Sequence, residues 1–270
     1  TGPMSASRTT LRVGSVPYLV ARPLDSGLDS ETDIKLSHAV PAELVAALRA
    51  GELDVALVSS VESFRRPGYR YLDGLAVAGR GQVSSVQLFL RRPLEDLRRV
   101  ALDPASRTAR ALCQCLLPDS IEWLEVEPGS DPRRVPADGW LRIGDAALRE
   151  ALAPAAPPTF NPSAVWTEQT GHIFPFALWI VRPGVDLAPF LPAFRRARER
   201  GRLAAPQLAA QAAAQWELPA DACRRYLLEE CLFEPGPELH PALEAFAARA
   251  ARSGLCPSGQ EPTPISVPRA

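Results

Sequence analysis

The stretch "LDVALVSS", residues 53–60, constrains the fold more than any other part of the chain. It is a nearly unbroken apolar run ending in two hydroxyls. It comes after "PAELVAALRAG", where Pro41 opens a helical spacing of apolar residues and Gly51 closes it. A run without polar alternation suits a parallel strand covered on both faces. The rhythm returns twice: "RRVALD" (98–103) precedes a helix that starts after Ser106, and "WLRIGD" (140–145) leads into "AALREAL". "LRVGSV" (11–16) and "IKLSHAV" (34–40) are two further strand-like runs. Strands alternating with helices imply right-handed crossovers, so the expectation is an α/β protein with a parallel or mixed sheet.

Two more apolar strands, "VQLFLRR" (86–92) and "FALWIVR" (176–182), each end in arginine followed by proline. They read as two crossings between lobes. This predicts a discontinuous lobe 1 (residues 1–92 and 183–270) with lobe 2 (93–182) inserted in it. From about Asp186 the pattern turns helical: "LAPFLPAFRRARERG", "LAAPQLAAQAAAQW", "ADACRRYLLEECLF" and "HPALEAFAARAARSG" read as successive helices. The proline-rich tail "CPSGQEPTPISVPRA" is expected to be extended or disordered. In a two-lobed α/β fold, ligands sit at the carboxyl ends of the strands, between the lobes.

Composition removes several function classes. A net charge of −1 gives no basic field for nucleic acid or an anionic membrane surface. Lys35 is the one lysine, which excludes most Schiff-base chemistry. His38, His172 and His240 form no HExxH-type pair, so no metal site is expected. The five cysteines lack metal-type spacing and read as free thiols in a reducing compartment. Met4 is read as the native first residue, and the residues after it lack the roughly 7–15-residue apolar core of a signal peptide. No stretch reaches the ~20 apolar residues of a membrane span. The expected location is cytoplasmic.

Three strands end in small polar residues that begin helices: Ser59-Ser60, Ser106-Arg107-Thr108 and Gly144-Asp145. A helix N-terminus offers unpaired N–H groups and about half a positive charge, which favours an anion. Arg107 adds a planar cation suited to a carboxylate. In "GRGQVSSVQLF", Ser84 and Ser85 face opposite sides at the start of the first crossing strand, so one of them is a candidate for the cleft. His172, near the start of "TGHIFPFALW", is a candidate for its border.

Taken in order, "SVPYLVARPL", "GELDVALVSS", "GQVSSVQLF", "LDPASRTARAL", "LRIGDAAL" and "W…TG…FALW" resemble the chorismate dehydratases of the futalosine route to menaquinone. The match spans about residues 11–182. The resemblance implies a type II periplasmic-binding-protein-like fold: two lobes, mixed sheets, a cleft between them and a helical C-terminal part. It also implies a carbon–oxygen lyase that removes water from chorismate to give 3-[(1-carboxyvinyl)oxy]benzoate, with no cofactor. Tyr18 and Ser85 match the family's tyrosine and serine; the family's asparagine falls on Val20, and its first serine on Pro17. Catalytic roles are expected of Ser85 and Asp145. Substrate contacts are expected of Tyr18, Val20, Ser59, Ser60, Ser84, Ser106, Arg107, Thr108, Gly144 and His172. Two other readings of the same fold stay open: a small-carboxylate binding protein without catalysis, and 1,4-dihydroxy-6-naphthoate synthase.

Overall fold

The apolar runs become strands in the order their spacing predicts. In the computed structural model, which describes residues 9–268, β1 (Leu11–Ser15) leads through a short helix α1 (Arg22–Asp25) to β2 (Ile34–His38), α2 (Pro41–Arg49), β3 (Val55–Ser59) and the long β4 (Arg70–Gly79). Met4 lies outside the described residues. The middle of the chain forms β5 (Val86–Leu90), β6 (Arg99–Leu102), α3 (Arg107–Leu116), β7 (Glu122–Glu125), β8 (Gly139–Ile143), α4 (Gly144–Leu152), β9 (Thr159–Phe160) and α5 (Pro162–Thr170). The chain then returns through β10 (Phe174–Val181), α6 (Leu191–Trp216), α7 (Ala220–Arg225), β11 (Cys231–Leu232), α8 (Leu239–Arg252) and β12 (Thr263–Ser266).

These strands make two mixed sheets. The first has the order β11-β4-β10-β3-β1-β2, with β12 added beside β4. Its β3 is parallel to β1 and buried on both faces, as the unbroken apolar run requires. The second has the order β7-β6-β8-β5-β9. One continuous apolar cluster joins Val13 and Val55 of the first sheet to Leu88, Leu102 and Leu141 of the second. The lobes therefore abut through packed side chains as well as through the chain that connects them.

Pairing corrects the expected crossings. β5 lies wholly in the second sheet, with Leu88 opposite Leu141, and β10 lies wholly in the first, with Leu178 opposite Val58. Sheet membership thus changes within residues 80–85 and 161–173, and not at the arginine–proline ends near 92 and 182. The proline-rich tail is also more ordered than its composition suggests. Thr263–Ser266 pairs in parallel with Arg70–Asp73 and covers an edge of β4 that would otherwise be open. Two of the expected C-terminal helices are one. α6 runs unbroken through Gly201 and Pro206, and a Cβ at Gly201 would fall 2.2 Å from the Pro23 carbonyl oxygen. That glycine serves a close approach to α1, not a helix end. Among the described residues no helix is long and apolar enough to cross a membrane.

The second lobe carries its own charge network. Asp131 accepts hydrogen bonds from the Arg133 side chain and backbone N–H, and from Arg142. The Arg133 hydrogen bond is the main cause that lowers its carboxyl from 3.8 to about 2. A depressed carboxylate stabilises the fold fully above its unfolded value and loses that contribution as pH falls through the folded one. Between about 4 and 2, therefore, wild-type protein should lose stability more steeply than Asp131→Asn. Denaturant midpoints measured across that range check this; identical slopes would remove Asp131 as a contributor.

Candidate functional site

An apolar cleft of ≈ 90 Å³ lies between the sheets, at the carboxyl ends of β1, β3 and β8 and beside the first turn of α3. Its wall is built mainly from Val16, Val20, Leu57, Val58, Val77, Val83, Val86, Ile143 and Phe176. The polar side chains that line it are those of Tyr18, Ser59, Ser85 and Thr108. Among the described residues, no lysine, histidine, arginine or carboxylate lines it. Small-molecule sites more commonly measure ~300–1,000 Å³, so these lobes stand close together.

Each polar pair read from the sequence divides, one member lining the cleft and the other bonding the protein. Ser59 lines the cleft, whereas the buried Ser60 hydroxyl donates to the Pro175 carbonyl at 2.6 Å and ties β3 to β10. Ser85 lines it, whereas Ser84 turns away and gives its N–H (2.7 Å) and hydroxyl (3.0 Å) to the Glu230 carboxylate. Thr108 lines it, whereas the Ser106 hydroxyl donates back to the Asp103 carbonyl. Arg107 is not a lining residue. It sits about 100° round the helix from Thr108, and its charge bears on Arg65. His172 is also absent from the wall: its backbone is held in the turn after α5 by Thr167 and Thr170.

Gly144 lines the cleft and Asp145 does not, and the polar groups at this helix start are engaged by the protein. The Gly144 N–H donates to the Ser85 carbonyl at 2.9 Å, and the Asp145 carboxylate accepts the Leu19 N–H of the other lobe at 3.0 Å. Burial raises the Asp145 carboxyl above its ordinary value, and the Leu19 hydrogen bond opposes that. Gly144 has φ +67, and a Cβ there would lie 3.2 Å from the Tyr18 ring. Tyr18 thus packs its ring against a glycine that no residue with a side chain can replace without strain. Burial, helped by Asp103 and Asp145, pushes its hydroxyl up to about 12, so the phenol stays protonated.

Thr108 makes the other bridge between lobes. Its hydroxyl meets Ser59 and donates to the Phe176 carbonyl at 3.1 Å. The first N–H groups of α3 have no carbonyl four residues back within the helix, and Ala105, Thr108 and Ala109 bring that turn to the cleft. Behind β1 lies a group that inspection of the sequence overlooks. Buried Asp25 accepts from Ser15 (2.7 Å) and Arg22 (2.7 Å), and Arg22 also donates to the Val16 carbonyl. This holds the turn that carries Val16, Tyr18 and Val20. Ser15 and Arg22 lie inside the opening motif "SVPYLVARPL" and Asp25 follows it directly, which was the available signal.

With this geometry in place, the similarity to known proteins is informative. The family model described as menaquinone biosynthesis matches residues 11–252. A chorismate dehydratase of Thermus thermophilus is 33% identical over 208 residues, covering 70% of this chain and 76% of that protein. One from Campylobacter jejuni is 31% identical over 160 residues, covering 59% of this chain and 58% of that protein. Among solved structures, protein AF1704 of Archaeoglobus fulgidus has a TM-score of 0.76 at 18% identity, covering 93% of this chain and 100% of that one. The alkanesulfonate-binding protein SsuA of Xanthomonas axonopodis pv. citri, bound to MOPS, has a TM-score of 0.68 at 16% identity, covering 97% of this chain and 100% of that one. At such identities the structural likeness establishes the fold, a two-lobed α/β fold of the periplasmic-binding-protein type. The sequence match establishes more: this chain belongs to the menaquinone-biosynthesis family that includes these chorismate dehydratases.

Proposed function

We propose that the protein is a chorismate dehydratase, a hydro-lyase that converts chorismate into 3-[(1-carboxyvinyl)oxy]benzoate and water, in the cytoplasm. The observation that carries the reading is the cleft wall: the hydroxyls of Ser59, Ser85 and Thr108 and the first turn of α3, set in valine, leucine and phenylalanine. Hydroxyls and helix N–H groups suit the two carboxylates of chorismate, and the apolar wall suits its ring. The reaction breaks the C3–H and C4–O bonds, forms the C3–C4 double bond and releases water; the gain is an aromatic ring.

Catalysis in this reading rests on orientation. The wall offers no side-chain base, and Asp145 is engaged with Leu19, which fits a latch between lobes better than a proton acceptor. A carboxylate of the substrate, held near C3 at high effective molarity, takes the proton. Ser59 and Thr108, which touch each other across the lobes, exchange that contact for a substrate carboxylate. Ser85 orients the reacting end, and closure of the lobes excludes water. Arg107 has no role here. Arg107→Ala should leave KM within about twofold, as for other substitutions away from a site; a tenfold rise would restore it to the binding set.

Val20 occupies the position of the family's asparagine and lines the cleft without offering a hydrogen bond. Val20→Asn should therefore raise kcat/KM about 2- to 10-fold, the worth of one added hydrogen bond. Product formation by wild type and variant is the test. If both bind chorismate and neither yields the aromatic ether, the enzyme reading fails, and a carboxylate-binding protein of the same fold replaces it.

A further inference from the structure

Behind the Ser84–Ser85 pair the chain does something unusual. After α7 it widens into a π-helix, Tyr226–Glu230, before entering β11. Such turns are rare and recur where side chains must be re-aimed. This one points both its ends at the segment that passes from the first sheet to the second. Glu230 takes the Ser84 N–H and hydroxyl at 2.7 and 3.0 Å. The fully buried Tyr226 hydroxyl lies close enough to the Ser85 side chain and to Cys231 for both to bear on its ionisation. From the other lobe, Asn161 donates to the Val83 and Val86 carbonyls at 3.0 and 3.3 Å. The segment is thus held from both sides, and on the first lobe's side the holder is a carboxylate, the stronger kind of acceptor.

We propose that Glu230 and Tyr226 are positioning residues that set the Ser85 hydroxyl in the cleft wall. The proposal rests on the reading that Ser85 contacts the substrate. A segment joining two lobes is where closure is absorbed, and its φ and ψ change most easily. Ser84 and Ser85 are the central residues of a turn closed by the Val86 N–H on the Val83 carbonyl at 3.1 Å. With Ser84 fixed by two bonds to Glu230, that turn leaves Ser85 lining the cleft. Tyr226, whose hydroxyl is near the Ser85 side chain, then limits where that side chain can turn. Burial keeps the Tyr226 phenol protonated, so it acts as a hydroxyl and not as a charge. The C-terminal region, far along the chain from the opening motif, thereby becomes part of the active site's support.

The test uses the full chain and chorismate as the probe, with Glu230→Ala, Glu230→Gln, Tyr226→Phe and Ser85→Ala. Glu230→Ala should lose about tenfold or more in kcat while KM stays within about threefold, the pattern of a misplaced group. Glu230→Gln should recover most of the rate, because its amide oxygen still accepts the Ser84 N–H and its NH₂ can pair with the Ser84 hydroxyl. Tyr226→Phe should slow wild type about fivefold or more, yet add little to Ser85→Ala, since both remove one interaction. Amide exchange at Ser84 should rise in Glu230→Ala and stay low in Glu230→Gln. A folded Glu230→Ala with wild-type kcat, or a Glu230→Gln no better than alanine, overturns the proposal while leaving the dehydratase reading intact. Wild-type protein that leaves chorismate unchanged overturns the reading, and with it the positioning role.

Discussion

Ser85→Ala should lower kcat/KM for chorismate by about 10- to 150-fold, which corresponds to the ~1.5–3 kcal/mol of a hydrogen bond to a charged group. Ser85 is buried, lines the cleft and is braced by neighbours that remain when its hydroxyl is removed. Its carbonyl still accepts the Gly144 N–H, so the backbone has no reason to move. The loss should therefore appear in kinetics and not in the melting temperature. Steady-state rates and thermal melts of the same preparations check this. Wild-type kinetics in the variant would take Ser85 out of the reaction.

The second large effect is expected at Gly144. Gly144→Ala must hold alanine at φ +67 and push the Tyr18 ring, whose nearest atoms lie 3.2 Å from the new Cβ. Left-handed backbone in a non-glycine residue costs about 1–3 kcal/mol, which in a chain of this size lowers Tm by several degrees. Gly171→Ala is the control: it has φ +73 and nothing within 4 Å of the added Cβ. Both variants should lose stability, but only Gly144→Ala should also raise KM, because Tyr18 forms part of the cleft wall. Equal KM values in the two variants would mean that the contact between Gly144 and Tyr18 does not shape the site.

The strands and most helices were legible because their signal is local. "LDVALVSS" has the continuous apolar character of a strand buried on both faces, and it becomes one. The crossings were less legible because sheet membership depends on partners far away in sequence. Nothing within "VQLFLRR" says that Leu88 will face Leu141, and the arginine–proline ends are only places where strands stop. Likewise Gly201 and Pro206 look like helix breaks until Pro23 and the length of α6 are known.

The site shows the same division. Of the small polar residues that stand out in the sequence, Ser59 at the end of β3, Ser85 just before β5 and Thr108 at the start of α3 line the cleft. The member of each pair that faces inward was decided by remote partners: the Pro175 carbonyl for Ser60, Glu230 for Ser84, Leu19 for Asp145. Phe176, Val58 and Val77 contribute much of the wall, but in the sequence they are ordinary core residues. Apolar side chains that bind a ligand and apolar side chains that stabilise a fold share the same patterning, and only the topology separates them.

In the proposed reaction this cleft aromatises chorismate by removing the C3 proton and the C4 hydroxyl, without a side-chain base. Chorismate carrying deuterium at C3, turned over by the wild-type protein and tracked by mass spectrometry, tests it most directly. The expected result is an aromatic product that has lost the C3 deuterium and the C4 hydroxyl, together as one water, while keeping the carboxyvinyl ether. Chorismate recovered unchanged from saturated protein, or a product that retains the deuterium, would contradict it.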